Sequence, residues 1–209
     1  MIPEVAMSWE GPVGLQAEVA QLRRGDLDAL AALLARYQNR LYRYLLRLVR
    51  EPATAEDLFQ QTWLRVAEKI RHYDPKRNFE AWLFSVARNL AIDYLRRIKP
   101  ESLDESSPDG IPRHAEPRSA APPVLDGLVM QERNSRLGVV LGELPVVYRD
   151  VLTLRFEEEM KLEEIAEVLG TPLSTVKTRL RRSLEGLKRT LETRYPGEDW
   201  LGSMGRAGQ

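Results

Sequence analysis

The 209 residues carry 31 basic and 31 acidic side chains, so the net charge of zero is a sum over unlike regions and says nothing about any one face. Charged residues make up 30% and aromatics 7%, which favours helices over a β-rich core, and the absence of cysteine excludes disulfides and thiolate metal sites. No run of about 18 apolar residues offers a membrane span, the N-terminal MIPEVAMSWEG lacks the basic and apolar segments of a secretory signal, and His72 and His114 are too few for a histidine metal site. A cytoplasmic, all-α chain with no cofactor, no membrane partner and no small-molecule substrate is therefore expected.

Residues 1–24 hold Pro3, Gly11, Pro12 and Gly14 with little periodicity and read as a loose arm, helical from Leu15 onward. From Gly25 the pattern changes. Leu30, Leu34, Tyr37, Leu41, Leu45 and Leu48 recur at three- and four-residue steps and mark one face of a long helix, with Arg36, Arg40, Arg43, Arg47 and Arg50 largely off that stripe. Glu51-Pro52 ends it. Thr54 is the expected cap of a second helix, with Glu56 and Asp57 in its first turn where the macrodipole favours acids. Its apolar face runs Leu58, Phe59, Thr62, Trp63, Val66 and Ile70, and its other face shows Asp57, Gln60, Gln61 and Arg65. After the loop Arg71–Asn78, Asn78 caps a third helix that buries Trp82, Leu83, Val86, Leu90 and Leu95 while showing Arg88, Asn89, Asp93, Arg96 and Arg97. Three such helices make a domain over residues 25–97.

Residues 98–123 contain six prolines, several serines and the acids Glu101, Asp104, Glu105 and Asp109, with few apolar residues to build a core. They read as a flexible interdomain linker. Helical periodicity resumes from Val124 to about Leu141, and Pro145 opens the next helix at its first position, with Val146, Val151, Leu152 and Leu154 as apolar content. A second domain thus spans 124–194, followed by a tail over 195–209. Within it, Leu169-Gly170-Thr171-Pro172 is a stop-and-restart signal. Gly170 can take the left-handed conformation that ends a helix, Thr171 can cap the next and Pro172 suits its first position.

The helix after that turn carries Val176, Leu180, Leu184, Leu187 and Leu191 on one face and Lys177, Arg179, Arg181, Arg182, Lys188 and Arg189 on the others. Cations on a helix that protrudes after a tight turn suit the DNA major groove. Ser174, Thr175 and Thr178 lie near its N-terminus, where groove-reading side chains are expected. On the third helix, Arg88, Asn89, Arg96 and Arg97 near aromatics suit melted DNA whose bases are read on their edges, although spacing alone fits a solvated polar face equally well. No phosphate-cradling glycine loop, GxSxG or HExxH is present, so no enzyme is expected.

LPVVYRDVLTLRFEEE…EIAEVLG…TVKTRLRR, from Leu144 to Arg182, resembles the fourth domain of bacterial sigma factors. AEDLFQQTWLRVAEKI (55–70) resembles the helix of their second domain that docks on the polymerase clamp, and FEAWLFSVARNLAIDYLRR (79–97) the helix that opens the minus-ten element. With these two domains alone the chain resembles an extracytoplasmic-function (ECF) sigma factor. The resemblance implies core RNA polymerase (clamp helices and flap), promoter DNA and an anti-sigma factor as partners. It places Asp57, Gln60 and Gln61 on the clamp. Asn89, supported by the loop that carries Arg77 and Asn78 and by Arg88, Arg96 and Arg97, falls on the minus-ten element. Lys177, Thr178, Arg181 and Arg182, with Ser174 and Thr175 near the backbone, fall on the minus-thirty-five element. The chain departs from the family at Gln61, often Glu, at Trp63, often Phe, and at Lys161, where a serine cap is usual. The competing class is a stand-alone helix-turn-helix regulator.

Overall fold

The computed structural model describes residues 12–98 and 128–196, and every regular element among them is helical. α1 (Pro12–Arg23) opens on a proline whose fixed φ suits a first turn. It is no loose arm: Val19 and Leu22 are buried, and Glu18 pairs with Arg36 of the next helix at 2.8 Å. Gly25, at φ 92°, turns the chain, and the Asp26 carboxylate accepts the Asp28 N–H at 2.9 Å to open α2 (Leu27–Val49).

α2 buries Ala29, Leu33, Tyr37, Leu41, Tyr44, Leu45 and Leu48. That face is rotated from the expected one, since Leu30 and Leu34 are only half-buried. Tyr44 takes an inside place because its ring meets Phe84 edge-on at 5.1 Å and its hydroxyl finds a buried acceptor, Asp150.

α3 (Pro52–Lys69) starts two residues before the expected cap. Glu51 is extended and Pro52 sits at the first helical position, so Thr54 lies inside the first turn, where its hydroxyl donates to the Glu51 carboxylate. A short 3₁₀ turn, Ile70–His72, leads to Tyr73, which is buried against Phe79 and Trp82 at 5.7 and 4.9 Å. The Tyr73 hydroxyl donates to the Arg77 carbonyl and thereby ties down the loop that carries Arg77 and Asn78.

α4 (Phe79–Ile98) is capped as expected, the Asn78 Oδ1 accepting the Ala81 N–H at 3.2 Å. Its buried seam is Phe79, Ala81, Leu83, Phe84, Ala87, Ala91, Ile92 and Leu95, while Trp82, Val86 and Leu90 are half-buried. The alanines explain the shift. Small side chains let α4 lie close to its neighbours, and a reading that follows only the large residues rotates the face outward.

The expected Pro-rich linker and most of the tail lie outside the described residues. α5 (Leu128–Glu143) is followed by Pro145, which sits at the N-cap of α6 (Val146–Leu152), one residue earlier than expected. A wide turn over Thr153–Glu157, closed by Glu158 N–H to Thr153 O at 3.0 Å, leads to α7 (Leu162–Leu169), and α8 (Leu173–Arg194) completes the fold.

All-α architecture in two helical units is as expected. What the sequence did not announce is that the units share one interior. Val146, Val151, Leu154, Ile165, Val168 and Val176 belong to the same apolar cluster as Leu41, Leu45 and Phe84, while a smaller cluster of Val140, Leu144, Leu152, Leu187 and Leu191 belongs to the second unit alone.

Candidate polymerase and nucleic-acid interfaces

α7 and α8 form the expected helix-turn-helix. Gly170 adopts φ 61°, and the Thr171 N–H donates back to Ala166 O at 3.2 Å, closing the end of α7. Thr171 is not the cap of α8. Pro172 occupies that place with an extended backbone, the helix begins at Leu173, and the Thr171 hydroxyl is buried. The weak Lys161 start of α7 is compensated from the third helical position, where the Glu164 carboxylate accepts the Lys161 N–H at 2.8 Å.

On α8, Val176, Leu187 and Leu191 face inward. Ser174, Lys177, Thr178, Arg181 and Arg182 form an exposed stripe at three- and four-residue steps, with half-buried Thr175 on its flank. The Thr178 hydroxyl donates to Ser174 O at 3.0 Å, and Arg181 lies 2.8 Å from Glu185 one turn on. The stripe can thus offer cations and hydroxyls to phosphates and base edges together.

On α3, Asp57, Gln60 and Gln61 are exposed on one face, and Trp63 is buried, as expected of a core residue. Leu64 extends this face by one further turn and is 66% exposed. Sequence reasoning passed over it, yet a signal was there: Leu64 falls between the inward steps set by Leu58, Thr62, Trp63 and Val66. Leu64 gives this otherwise polar face one uncovered apolar point.

The α4 set divides. Arg77, Asn78, Asn89, Arg96 and Arg97 are exposed. Arg88, expected on the open face, is not: its side chain is 13% exposed and its Nε lies 2.6 Å from Asp150 Oδ2 of α6. Asp150 is fully buried and also accepts the Tyr44 hydroxyl at 2.7 Å. Burial works to lower the Arg88 pKa, but the Asp150 charge, Tyr44 and the Asp150 hydrogen bond together outweigh it and the net direction is upward. Tyr44 is pushed well above its ordinary value by burial and then by Asp150, so it stays a neutral donor. Asn78 is engaged as well, its amide donating to Glu164 at 2.8 Å.

Further pairs cross the same seam. Arg40 binds Glu158 at 2.8 Å and also Glu80, and Arg47 lies 2.9 Å from Glu157. Burial raises the Glu158 pKa, with Arg40 working against it. Arg149 donates to Leu48 O and Gly142 O at 3.1 and 3.0 Å, and Arg50 donates to the same Gly142 carbonyl at 2.7 Å. A side chain at Gly142 would meet the Arg50 guanidinium at 2.8 Å, so that flexible group would have to move aside. Burial and then Arg50 lower the Arg149 pKa to about 10.

Compared with known proteins, residues 33–100 match Sigma-70 region 2 and residues 135–187 match Sigma-70, region 4. The ECF RNA polymerase sigma factor SigW of Bacillus subtilis (strain 168) is 30% identical over 180 residues, which cover 85% of this chain and 96% of SigW. The chain belongs to the ECF RNA polymerase sigma factors. Its fold is that of CnrH, solved in complex with the cytosolic domain of CnrY, with a TM-score of 0.63 at 23% identity over 85% of this chain and 97% of that one. It is also that of the Bartonella quintana sigma factor RpoE, solved in complex with the anti-sigma factor NepR, with a TM-score of 0.61 at 23% identity over 78% of this chain and 96% of that one. In this ECF sigma factor α3 and α4 lie in region 2, and α6, α7 and most of α8 lie in region 4.

Proposed function

We propose that this sigma factor acts as a non-catalytic promoter-specificity subunit through three separate faces. The α3 face of Asp57, Gln60, Gln61 and Leu64 docks on the clamp helices of core RNA polymerase, with Leu64 as its apolar anchor, while region 4 engages the flap. Asn89, with Arg77, Asn78, Arg88, Arg96 and Arg97, reads and holds the melted minus-ten strand. Lys177, Thr178, Arg181 and Arg182, with Ser174 and Thr175, meet the minus-thirty-five duplex. The supporting units are residues 25–97 and 124–194, with 98–123 threading the polymerase between them. The protein works where core polymerase works, in the cytoplasm.

The observation that carries this reading is the exposed α8 stripe after a glycine turn, set in one chain with the exposed α3 and α4 faces. A stand-alone regulator has no use for the α3 face. The RpoE–NepR complex supports a partner of the anti-sigma kind for this chain too.

Run-off transcription with core polymerase on a genomic library tests the reading and yields the promoter sequence. Leu64→Glu is expected to weaken core binding about tenfold or more without changing the fold, because the side chain is largely in water. Asn89→Ala is expected to leave core binding intact and reduce promoter opening. If the purified chain bound promoter duplex tightly by itself and ignored core polymerase, the proposal would be wrong.

A further inference from the structure

α8 carries two adjacent arginines, Arg181 and Arg182, and they are placed differently. At about 100° per residue, Ser174, Thr178, Arg181 and Glu185 fall within about 60° of one another around the helix axis. All four are exposed, and their line lies opposite the buried Val176, Ser183 and Leu187, so it is the outermost edge of α8. Lys177 and Arg182, also exposed, flank that line on opposite sides, about 140° apart. A helix laid in a major groove turns its central line to the base edges and its flanks to the phosphates of the two strands. By position alone, Arg181 faces bases while Lys177 and Arg182 face the groove walls.

Partners separate the two arginines in the same way. Arg181 Nη1 donates to Glu185 Oε1 at 2.8 Å, with both side chains more than half in water. Lys177 and Arg182 make no ion pair among the described residues. Glu185 is also the only acid between Glu167 and Glu192. An exposed pair one turn apart adds little to stability, and a carboxylate on a surface that meets phosphates weakens the general attraction to DNA. Its effect on Arg181 is geometric. A guanidinium holds five donors in a planar fork, and a bond through Nη1 leaves the Nε and Nη2 hydrogens together on one edge. Those two parallel donors match guanine O6 and N7. The carboxylate also offsets the charge that would draw Arg181 towards a phosphate, whereas Arg182 keeps its full charge.

We infer that Glu185 is a positioning residue that sets base preference at the minus-thirty-five element. It braces Arg181 on the centre line of α8 so that the free Nε–Nη2 edge reads one guanine. Lys177 and Arg182 hold the phosphates on either side. The inference rests on the reading of α8 as the minus-thirty-five helix and adds a division of roles within that helix.

The test uses holoenzyme built from core polymerase and the full chain, on a promoter pool randomised across the minus-thirty-five duplex. Run-off transcripts are sequenced to give the base preference at each position. The parent is expected to favour guanine about tenfold at one position, and Arg181→Ala to abolish that preference. Glu185→Ala is expected to cut it to about threefold or less at that position alone, with total transcript from the pool not reduced. Glu185→Gln should retain the preference, because its amide carbonyl accepts the same N–H. In the Arg181→Ala background, Glu185→Ala should change no position further. Arg182→Ala is expected to lower every sequence alike and to reduce the salt slope of upstream-duplex binding by about one. All three side chains are exposed, so helix content by circular dichroism should match the parent throughout. An undiminished guanine preference in Glu185→Ala, an equal loss in Glu185→Gln, an effect that persists without Arg181, or a preference carried by Arg182 would each overturn the brace. If Arg181→Ala, Arg182→Ala and Lys177→Ala all left use of the upstream element unchanged, the α8 assignment itself would fall, and the brace with it.

Discussion

Region 2 contributes the completely buried Tyr37, Tyr44, Phe79 and Phe84, and the rings of Tyr73, Phe79 and Trp82 lie within 4.9–5.7 Å of one another. Region 4 has no comparable store. Its own cluster is five aliphatic side chains, and Val151, Leu154, Ile165 and Val176 are buried in the cluster that region 2 dominates. Aromatic rings bury large areas and stiffen what they touch, so α4 is held on a firm base. The helix-turn-helix relies on turn geometry and on a borrowed surface. The comparison teaches that the two proposed readers are held differently, α4 by packing and α8 by backbone conformation.

Breaking the packing side should have the largest effect. Phe84→Ala removes a fully buried ring that meets Tyr44 and Leu-rich α2, and is expected to cost about 3–5 kcal/mol. Urea unfolding should show this loss together with release of the seam, since Phe84 lies in the apolar cluster that both units share. Next comes the conformational side. Gly170→Val places a β-branched residue at φ 61°, at an expected cost of about 1–2 kcal/mol. The loss should appear as weaker binding of minus-thirty-five duplex by the polymerase complex, with the α3 docking face and core binding unaffected. If Gly170→Val damaged core binding as much as duplex binding, the division of labour between the regions would be wrong.

The smallest effect sharpens the comparison at the seam. Burial holds the Glu158 pKa above its ordinary value, so the group takes up a proton more readily in the folded than in the unfolded chain. A carboxyl raised in this way contributes stability that is complete below its unfolded pKa and is lost as pH rises through the folded one. Glu158→Gln is therefore expected to gain on the parent as pH rises from about 4 towards 7, by about 1 kcal/mol or less. Paired urea titrations at the two pH values check the sign. Asp150→Asn is expected to be the harsher change, because it leaves Arg88 in a site where that cation is 13% exposed and has lost its charge partner.

Much of the fold was legible because its signals are local. Asn78 before Phe79, Gly170 after Leu169 and the aliphatic ladder of α8 each act within a few residues, and each appears in the structure where the residue types place it. The α8 stripe and the α3 face were legible for the same reason, since a helix sorts its own sides. Errors arose where a second element decides the outcome. The α2 and α4 faces turned because Tyr44 and the α4 alanines answer to neighbouring helices, and α1, expected as helical from Leu15 within a loose arm, is packed because Val19 and Leu22 find apolar neighbours on other helices. Thr54 lost its expected capping place to Glu51, which precedes Pro52, and Thr171 lost its place to Pro172; each proline ring fixes the backbone one or two residues away.

The sequence by itself determined helices, their order, the turn before α8 and the family, all of which follow from residue type at short spacing. Only the tertiary structure decided that Arg88 faces Asp150 and that Arg40 meets Glu158. The physical reason is range. Capping and periodicity act over one or two turns of the same helix, whereas Arg88 and Asp150 are brought to 2.6 Å across 62 residues by the fit of two apolar surfaces.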